Sequence, residues 1–228
     1  MMMIACSSLW RRSVAVLLIL ASGACAAADQ NTLPPSDALA AYVSRPDPSY
    51  AWRVRSSGAI GKSRYVELIM SSQTWRDTLW RHQLFIIDPA KRSPDSRQAL
   101  LFVDGGRWKP ELDADAEPGK LPRRADVFVR LAEKLGTPVA ILRHVPYQPL
   151  FDGLTEDWII ALTFDRYLET GDTDWPLLLP MVKSVVRAMD TTQAFAAQEW
   201  GIAIDSFTVA GASKRGWTTW LTGATDSR

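Results

Sequence analysis

Asp205-Ser206-Phe207-Thr208-Val209-Ala210-Gly211-Ala212-Ser213-Lys214-Arg215-Gly216-Trp217-Thr218-Thr219-Trp220-Leu221 begins as a β-branched and aromatic run, breaks at small residues around one serine, and then opens a helical pattern. Trp217, Trp220 and Leu221 fall on one face of that helix. A sharp strand-to-helix turn lifts a serine hydroxyl above a sheet, and small neighbours let strand and helix approach each other. We read the stretch as a nucleophile elbow with Ser213 as the candidate nucleophile. A loose Gly-x-Ser-x-x-Gly pattern also arises by chance, so the strand before it and the helix after it carry the reading.

Upstream, Ala99-Leu100-Leu101-Phe102-Val103 is a continuous apolar run that ends in Asp104-Gly105-Gly106, as a buried parallel strand and its outgoing loop do. Helical spacing over 124–135 closes at Gly136, and Pro138-Val139-Ala140-Ile141-Leu142 reads as a second buried strand. Strand, helix and strand in that order imply a right-handed crossover and parallel pairing. Before them, 37–43 reads as a short helix and 45–50 as a proline-bounded turn. Strands over 65–70 and 83–87 flank Ser72-Gln73-Thr74-Trp75, and 91–97 and 112–122 read as loops. Helical segments follow over 156–168, 177–189 and 192–200, with Gly171 and Pro176 breaking the first from the second. The expected class is α/β, an α/β-hydrolase-like, mostly parallel sheet with flanking helices, incomplete at the C-terminus.

Residues 1–28 separate from the rest. Arg11 and Arg12 give a basic start, 14–20 is unbroken apolar sequence, and Ala24, Ala26 and Ala28 supply small cleavage positions, which is how a secretory signal peptide reads. The apolar run is far below the ~20 residues that cross a bilayer. Lipid attachment at Cys25 fits less well because Ser22 stands where the lipobox wants a large aliphatic residue, and the sequence after the arginine pair departs from the twin-arginine pattern. The expectation is export to a periplasm or the outside, with 29–228 as the N-terminal part of a hydrolase-like domain and no integral membrane span once the leader is removed. Both cysteines, Cys6 and Cys25, lie in the leader, so disulfides add nothing to the mature chain. A formal net charge of +1 falls to about −1 without the two leader arginines, a balance that does not suggest nucleic acid as a partner. Ten tryptophans are many. Core packing and a sugar-stacking surface are both open readings of them.

An elbow serine needs an oxyanion hole, made from the backbone N–H after the nucleophile and another from the loop after an earlier strand. The Lys214 N–H and the Gly105-Gly106 loop, with Gly106 as donor, occupy those two places; turning the chain is the alternative role for the glycines. Lys214 and Arg215 put positive charge at a helix start, either toward an anion or paired structurally. Asp152, Glu156 and Asp157 lack histidine support for a metal site and read, after Thr155, as the charged first turn of a helix. No phosphate loop, zinc spacing or dinucleotide fingerprint occurs, so no cofactor is expected.

The longer strings are similar to one family. They include Tyr42-Val43, Pro46-Asp47-Pro48-Ser49-Tyr50 with Trp52, and Ser72-Gln73-Thr74-Trp75. They continue with Pro149-Leu150-Phe151-Asp152-Gly153-Leu154-Thr155-Glu156-Asp157, Thr170-Gly171-Asp172, and Trp175-Pro176-Leu177-Leu178-Leu179-Pro180-Met181-Val182-Lys183-Ser184. The elbow itself closes the set. Together these resemble the PhoPQ-activated pathogenicity-related proteins, a secreted α/β-hydrolase-like group linked to bacterial virulence and peptide resistance. The resemblance settles no substrate; the elbow points to a small-molecule, ester or peptide substrate. Two positions depart from expectation. Arg215 stands where the common hydrolase elbow has glycine, a variant resembling the serine turn of glucuronoyl esterases, and His144 stands where the family pattern leads to Gln or a similar residue.

In this fold the acid and the histidine follow the serine in chain order, yet only fifteen residues follow Ser213. His82 and His144 lie upstream. His144, at the C-terminal end of a parallel strand, is open to a catalytic or a structural role; His82 reads as structural, and Asp226 stands too close behind the serine for the usual triad acid. The expectation is an N-terminal portion of a longer serine hydrolase, inactive alone. The alternative is a scaffold that acts by binding.

Overall fold

Ser63–Trp75 (β2) and Thr78–Asp88 (β3) form a long hairpin in the sheet. They pair antiparallel from Arg64 opposite Asp88 to Trp75 opposite Thr78. Arg76 and Asp77 close the turn in the left-handed region, at φ 48° and 58°. Successive strand side chains face opposite sides, so Leu68, Met70, Leu84 and Ile86 enter one apolar layer and Tyr65, Phe85 and Ile87 enter the other. Full burial of such side chains stabilises the fold by about 1.5–3 kcal/mol each. Both strands outrun the sequence reading, and Ser72-Gln73-Thr74-Trp75 is the last four residues of β2 rather than a stretch between strands. Ser72 and Gln73 mislead because they are buried and satisfied. Gln73 Nε2 donates to the Pro180 carbonyl at 2.8 Å, and the Tyr42 hydroxyl donates to Gln73 Oε1 at 2.9 Å.

The structure is a computed structural model and describes residues 35–114 and 125–228. The expected leader and residues 115–122 of the expected loop lie outside the described residues. Around the hairpin, Pro35–Ser44 (α1) and Ala51–Ile60 (β1) precede it. Gln98–Val103 (β4), Ala125–Leu135 (α2), Val139–Leu142 (β5), Asp157–Thr170 (α3), Leu178–Trp200 (α4), Ser206–Gly211 (β6) and Lys214–Thr225 (α5) follow it, with a 3-10 turn at Pro110–Leu112. The strand order is β1-β2-β3-β5-β4-β6. β4 pairs parallel with both β5 and β6. The other three ladders are antiparallel.

The α/β class with flanking helices stands, but the sheet is mixed rather than mostly parallel, with parallel pairing confined to β4, β5 and β6. The sheet is mixed because short turns join β1, β2 and β3, and strands joined by a tight turn pair antiparallel. β1 escapes sequence reading for a related reason: it is an edge strand, mostly exposed on both faces, and has no apolar alternation to detect.

One layer of the core lies between the sheet and α4, where Met181, Val185, Ala188 and Met189 meet Leu101, Val103, Ala140 and Leu142. The other lies under α2, where Val129 and Ala132 meet Val139 and Ile141. Gly136 ends α2 as expected, at φ 63° with its N–H donating to the Ala132 carbonyl at 2.8 Å. The two helical segments expected over 177–189 and 192–200 are one 23-residue helix. Thr191 and Thr192 do not break it because their hydroxyls are satisfied in place: Thr192 donates to the Ala188 carbonyl at 2.7 Å and Thr191 lies 3.0 Å from the Tyr50 hydroxyl. Among the described residues no helix is long and apolar enough to cross a membrane.

Candidate functional site

β4 and β6 are adjacent and parallel, with Val103 opposite Gly211. The loops that leave them therefore emerge side by side at the C-terminal ends of the strands, the edge where open α/β sheets place their ligands. One loop is Asp104-Gly105-Gly106. The other is Ala212-Ser213, from which α5 starts at once.

Ser213 adopts φ 55° and ψ −127°, a conformation that costs a non-glycine residue free energy and that the surroundings must hold. Those surroundings are tight. A Cβ on Gly211 would lie 2.9 Å from the carbonyl carbon and oxygen of Arg215, and one on Gly216 would lie 3.1 Å from the Gly211 carbonyl oxygen. Strand and helix thus approach as closely as two glycines permit. The Ser213 side chain is exposed and borders a cleft of about 420 Å³, shared with Gly105, Gly106, Arg143, Glu156 and Arg215.

Of the expected oxyanion donors, the N–H groups of Lys214 and Gly106 have no acceptor among the described residues, whereas the Gly105 N–H is taken by Asp104 Oδ1 at 2.9 Å. Gly106 sits at φ 123°, and a Cβ there would come within 3.0 Å of His144 Nδ1. The loop accordingly needs glycine at 106 both for its backbone and for its neighbour.

Lys214 and Arg215 are paired. Arg215 donates to both Glu156 oxygens at 2.8 Å and, through Nε, to the Val145 carbonyl at 2.5 Å; Lys214 Nζ reaches Glu156 Oε2 at 2.7 Å and Asp157 Oδ1 at 3.0 Å. A forked guanidinium–carboxylate pair of this kind is strong and directional. The Arg215 hydrogen bonds, more than any other influence and against the effect of burial, hold the Glu156 carboxyl at about 2, with Lys214 and Gln148 adding to them. Glu156 does stand at the start of α3, as the sequence suggests, but its side chain caps nothing. Its carboxylate goes instead to the residues after Ser213. Gln148 extends the set: its Nε2 donates to Glu156 Oε1 at 2.7 Å and to the Gly106 carbonyl at 3.0 Å, and its Oε1 accepts the Glu156 N–H at 2.9 Å. Sequence reading sees Glu156 only as a helix start and gives Gln148 no role at the site. The available signal was Arg215 itself, since a cation in place of an elbow glycine requires an anion nearby.

Neither histidine lines the cleft at Ser213. His144 is buried, and its Nε2 donates to Gln83 Oε1 at 2.9 Å; the amide orientation follows from Gln83 Nε2 donating to Glu67 at 2.7 Å. Burial, and then the charge of Arg143, push its pKa down to about 3, so the ring is neutral and a weak base. His82 is fully buried between Ser72 Oγ at 3.0 Å and the Arg143 carbonyl at 3.2 Å, with its pKa lowered to about 4 by burial. Asp226 follows α5 and pairs with Arg228 at 2.7 Å.

The family model for PhoPQ-activated pathogenicity-related proteins matches residues 39–228. The chain belongs to that family. Autocrine proliferation repressor protein A of Dictyostelium discoideum is 32% identical to this PhoPQ-related chain over 201 residues, covering 82% of it and 38% of the relative. The chain thus spans well under half the length of that relative. Among solved structures, a proposed acetyl xylan esterase from Bacteroides fragilis superposes with a TM-score of 0.48 at 16% identity, covering 84% of this chain and 49% of its own. A glucuronoyl esterase from Teredinibacter turnerae gives 0.42 at 16% identity, covering 86% and 45%. Neither score bears on the chemistry of the PhoPQ-related site.

Proposed function

We propose that this chain carries the nucleophile half of an exported serine hydrolase acting on an ester or amide bond. Ser213 Oγ attacks the substrate carbonyl, and the N–H groups of Lys214 and Gly106 receive the oxyanion of the tetrahedral intermediate. The observation that carries this reading is the exposed Ser213 side chain at a positive-φ turn, on a cleft it shares with Gly105 and Gly106. Proton removal from Ser213 requires a base other than His82 and His144, and in the whole protein a further histidine supplies it. Treating the whole protein with a fluorophosphonate should modify wild type and leave Ser213→Ala unlabelled. Folded wild type that takes no label contradicts the proposal.

One observation favours a second reading, a hydrolase scaffold that binds a peptide or surface receptor: burial keeps both histidines neutral, and neither lines the cleft at Ser213. The relative's name, a repressor of autocrine proliferation, agrees with such a signalling role. Under this reading the biological effect survives Ser213→Ala.

Export rests on residues 1–28. Secreted material should begin between Ala24 and Asp29 by N-terminal sequencing, and a mature protein retaining Met1 contradicts it.

A further inference from the structure

We propose that Glu156 is a positioning residue for the reaction at Ser213, its carboxylate fixing the serine turn and the Gly105-Gly106 loop relative to each other. The inference rests on reading Ser213 as the nucleophile and adds a residue to that site. The serine turn meets this side chain directly, and the Gly105-Gly106 loop is joined to it through Gln148. From the serine turn, Arg215 and Lys214 deliver three hydrogen bonds to it. From the loop before α3, Gln148 exchanges two hydrogen bonds with Glu156 and with the same amide nitrogen holds the Gly106 carbonyl. Gly106 is the residue whose N–H the oxyanion needs, so the chain of contacts runs from one donor of the hole to the residue beside the other.

The oxyanion loop is also held directly. A Cβ on Gly105 would stand 2.5 Å from an Arg215 guanidinium nitrogen, so loop and guanidinium lie against each other and Gly105 must stay small. The Arg215 Nε bond to Val145 fixes that guanidinium from a third side.

Two further features place Glu156 with the chemistry rather than with the core. It takes φ 56° and ψ −127°, nearly the same uncommon backbone as Ser213, and such strain is retained where geometry matters. Its side chain, 38% exposed, also borders the cleft. Glu156 does not act as a base, because four donor contacts occupy its oxygens. Its contribution is alignment, and a misplacement of about 1 Å near a reacting group costs on the order of a hundredfold in rate.

The test compares wild-type whole protein with Glu156→Gln and Gln148→Met. For each, the rate constant of fluorophosphonate labelling at saturating probe, the half-saturating probe concentration and the thermal midpoint are measured. Both variants should lower the rate constant at least about tenfold, with half-saturation changed less than about twofold. A purely structural role would shift the thermal midpoint and leave folded molecules labelling at the wild-type rate, so that result in either variant overturns the inference. Gln148→Met leaves the Arg215–Glu156 pair whole and decides the matter should Glu156→Gln fail to fold. Wild type without label overturns the hydrolase reading instead. Amide exchange at Gly106 and Lys214 then judges the brace alone: faster exchange in Gln148→Met supports it, and exchange equal to wild type overturns it.

Discussion

Gly211 has no room for a methyl group. The 2.9 Å that separates its would-be Cβ from the Arg215 backbone cannot be relieved by a side-chain rotation, so Gly211→Ala must open the turn at Ser213. The expected cost is about 1–3 kcal/mol in urea unfolding, together with loss of fluorophosphonate labelling. Gly105→Ala meets a side-chain guanidinium rather than backbone and should cost less stability. Unfolding of the two variants under one set of conditions checks the order. The serine and its glycines were legible in the sequence because the turn's requirement is local. Glu156 was not, since its partners lie 58 and 59 residues downstream and its neighbours in sequence suggest only a helix start.

Among the elements, β4, α2, β5 and β6 were readable because a buried parallel strand is an unbroken apolar run and an amphipathic helix has its own period. Reading failed where polar residues are buried and satisfied across the fold. Ser72, Gln73, His82 and Ser184 form one such network between β2, β3 and α4, with Ser72 Oγ 3.0 Å from both His82 Nε2 and Ser184 Oγ. Gln73→Leu leaves the Pro180 carbonyl and the Tyr42 hydroxyl without this partner and should destabilise the fold by about 2–4 kcal/mol. Thr192→Val removes a hydroxyl bonded only within α4 and should stay within about 0.5 kcal/mol. Urea denaturation of both variants measures the difference between a polar residue that holds elements together and one that merely fits.

For the molecule as a whole, two neutral histidines couple the fold to pH. Unfolded, both rings protonate near the usual 6.5; folded, they do so only near 4 for His82 and 3 for His144. Between those values the unfolded state binds more protons, so stability is full above about pH 6.5 and falls as acid is added. The depressed Glu156 carboxyl has the same sign in a lower window: its contribution is complete above 4.5 and is lost toward about 2. The urea midpoint should therefore drop between about pH 7 and about pH 5, and His82→Gln should show a smaller drop. The whole site depends on one geometric claim, that the hydroxyl of residue 213 and the amides of 106 and 214 address a common point. The crystal structure of the fluorophosphonate adduct of the whole protein measures this most directly. The account predicts the phosphonyl group on Ser213 Oγ, with one phosphoryl oxygen about 2.7–3.1 Å from both the Gly106 and Lys214 nitrogens. An adduct on another residue, or an oxygen turned away from both amides, would contradict it.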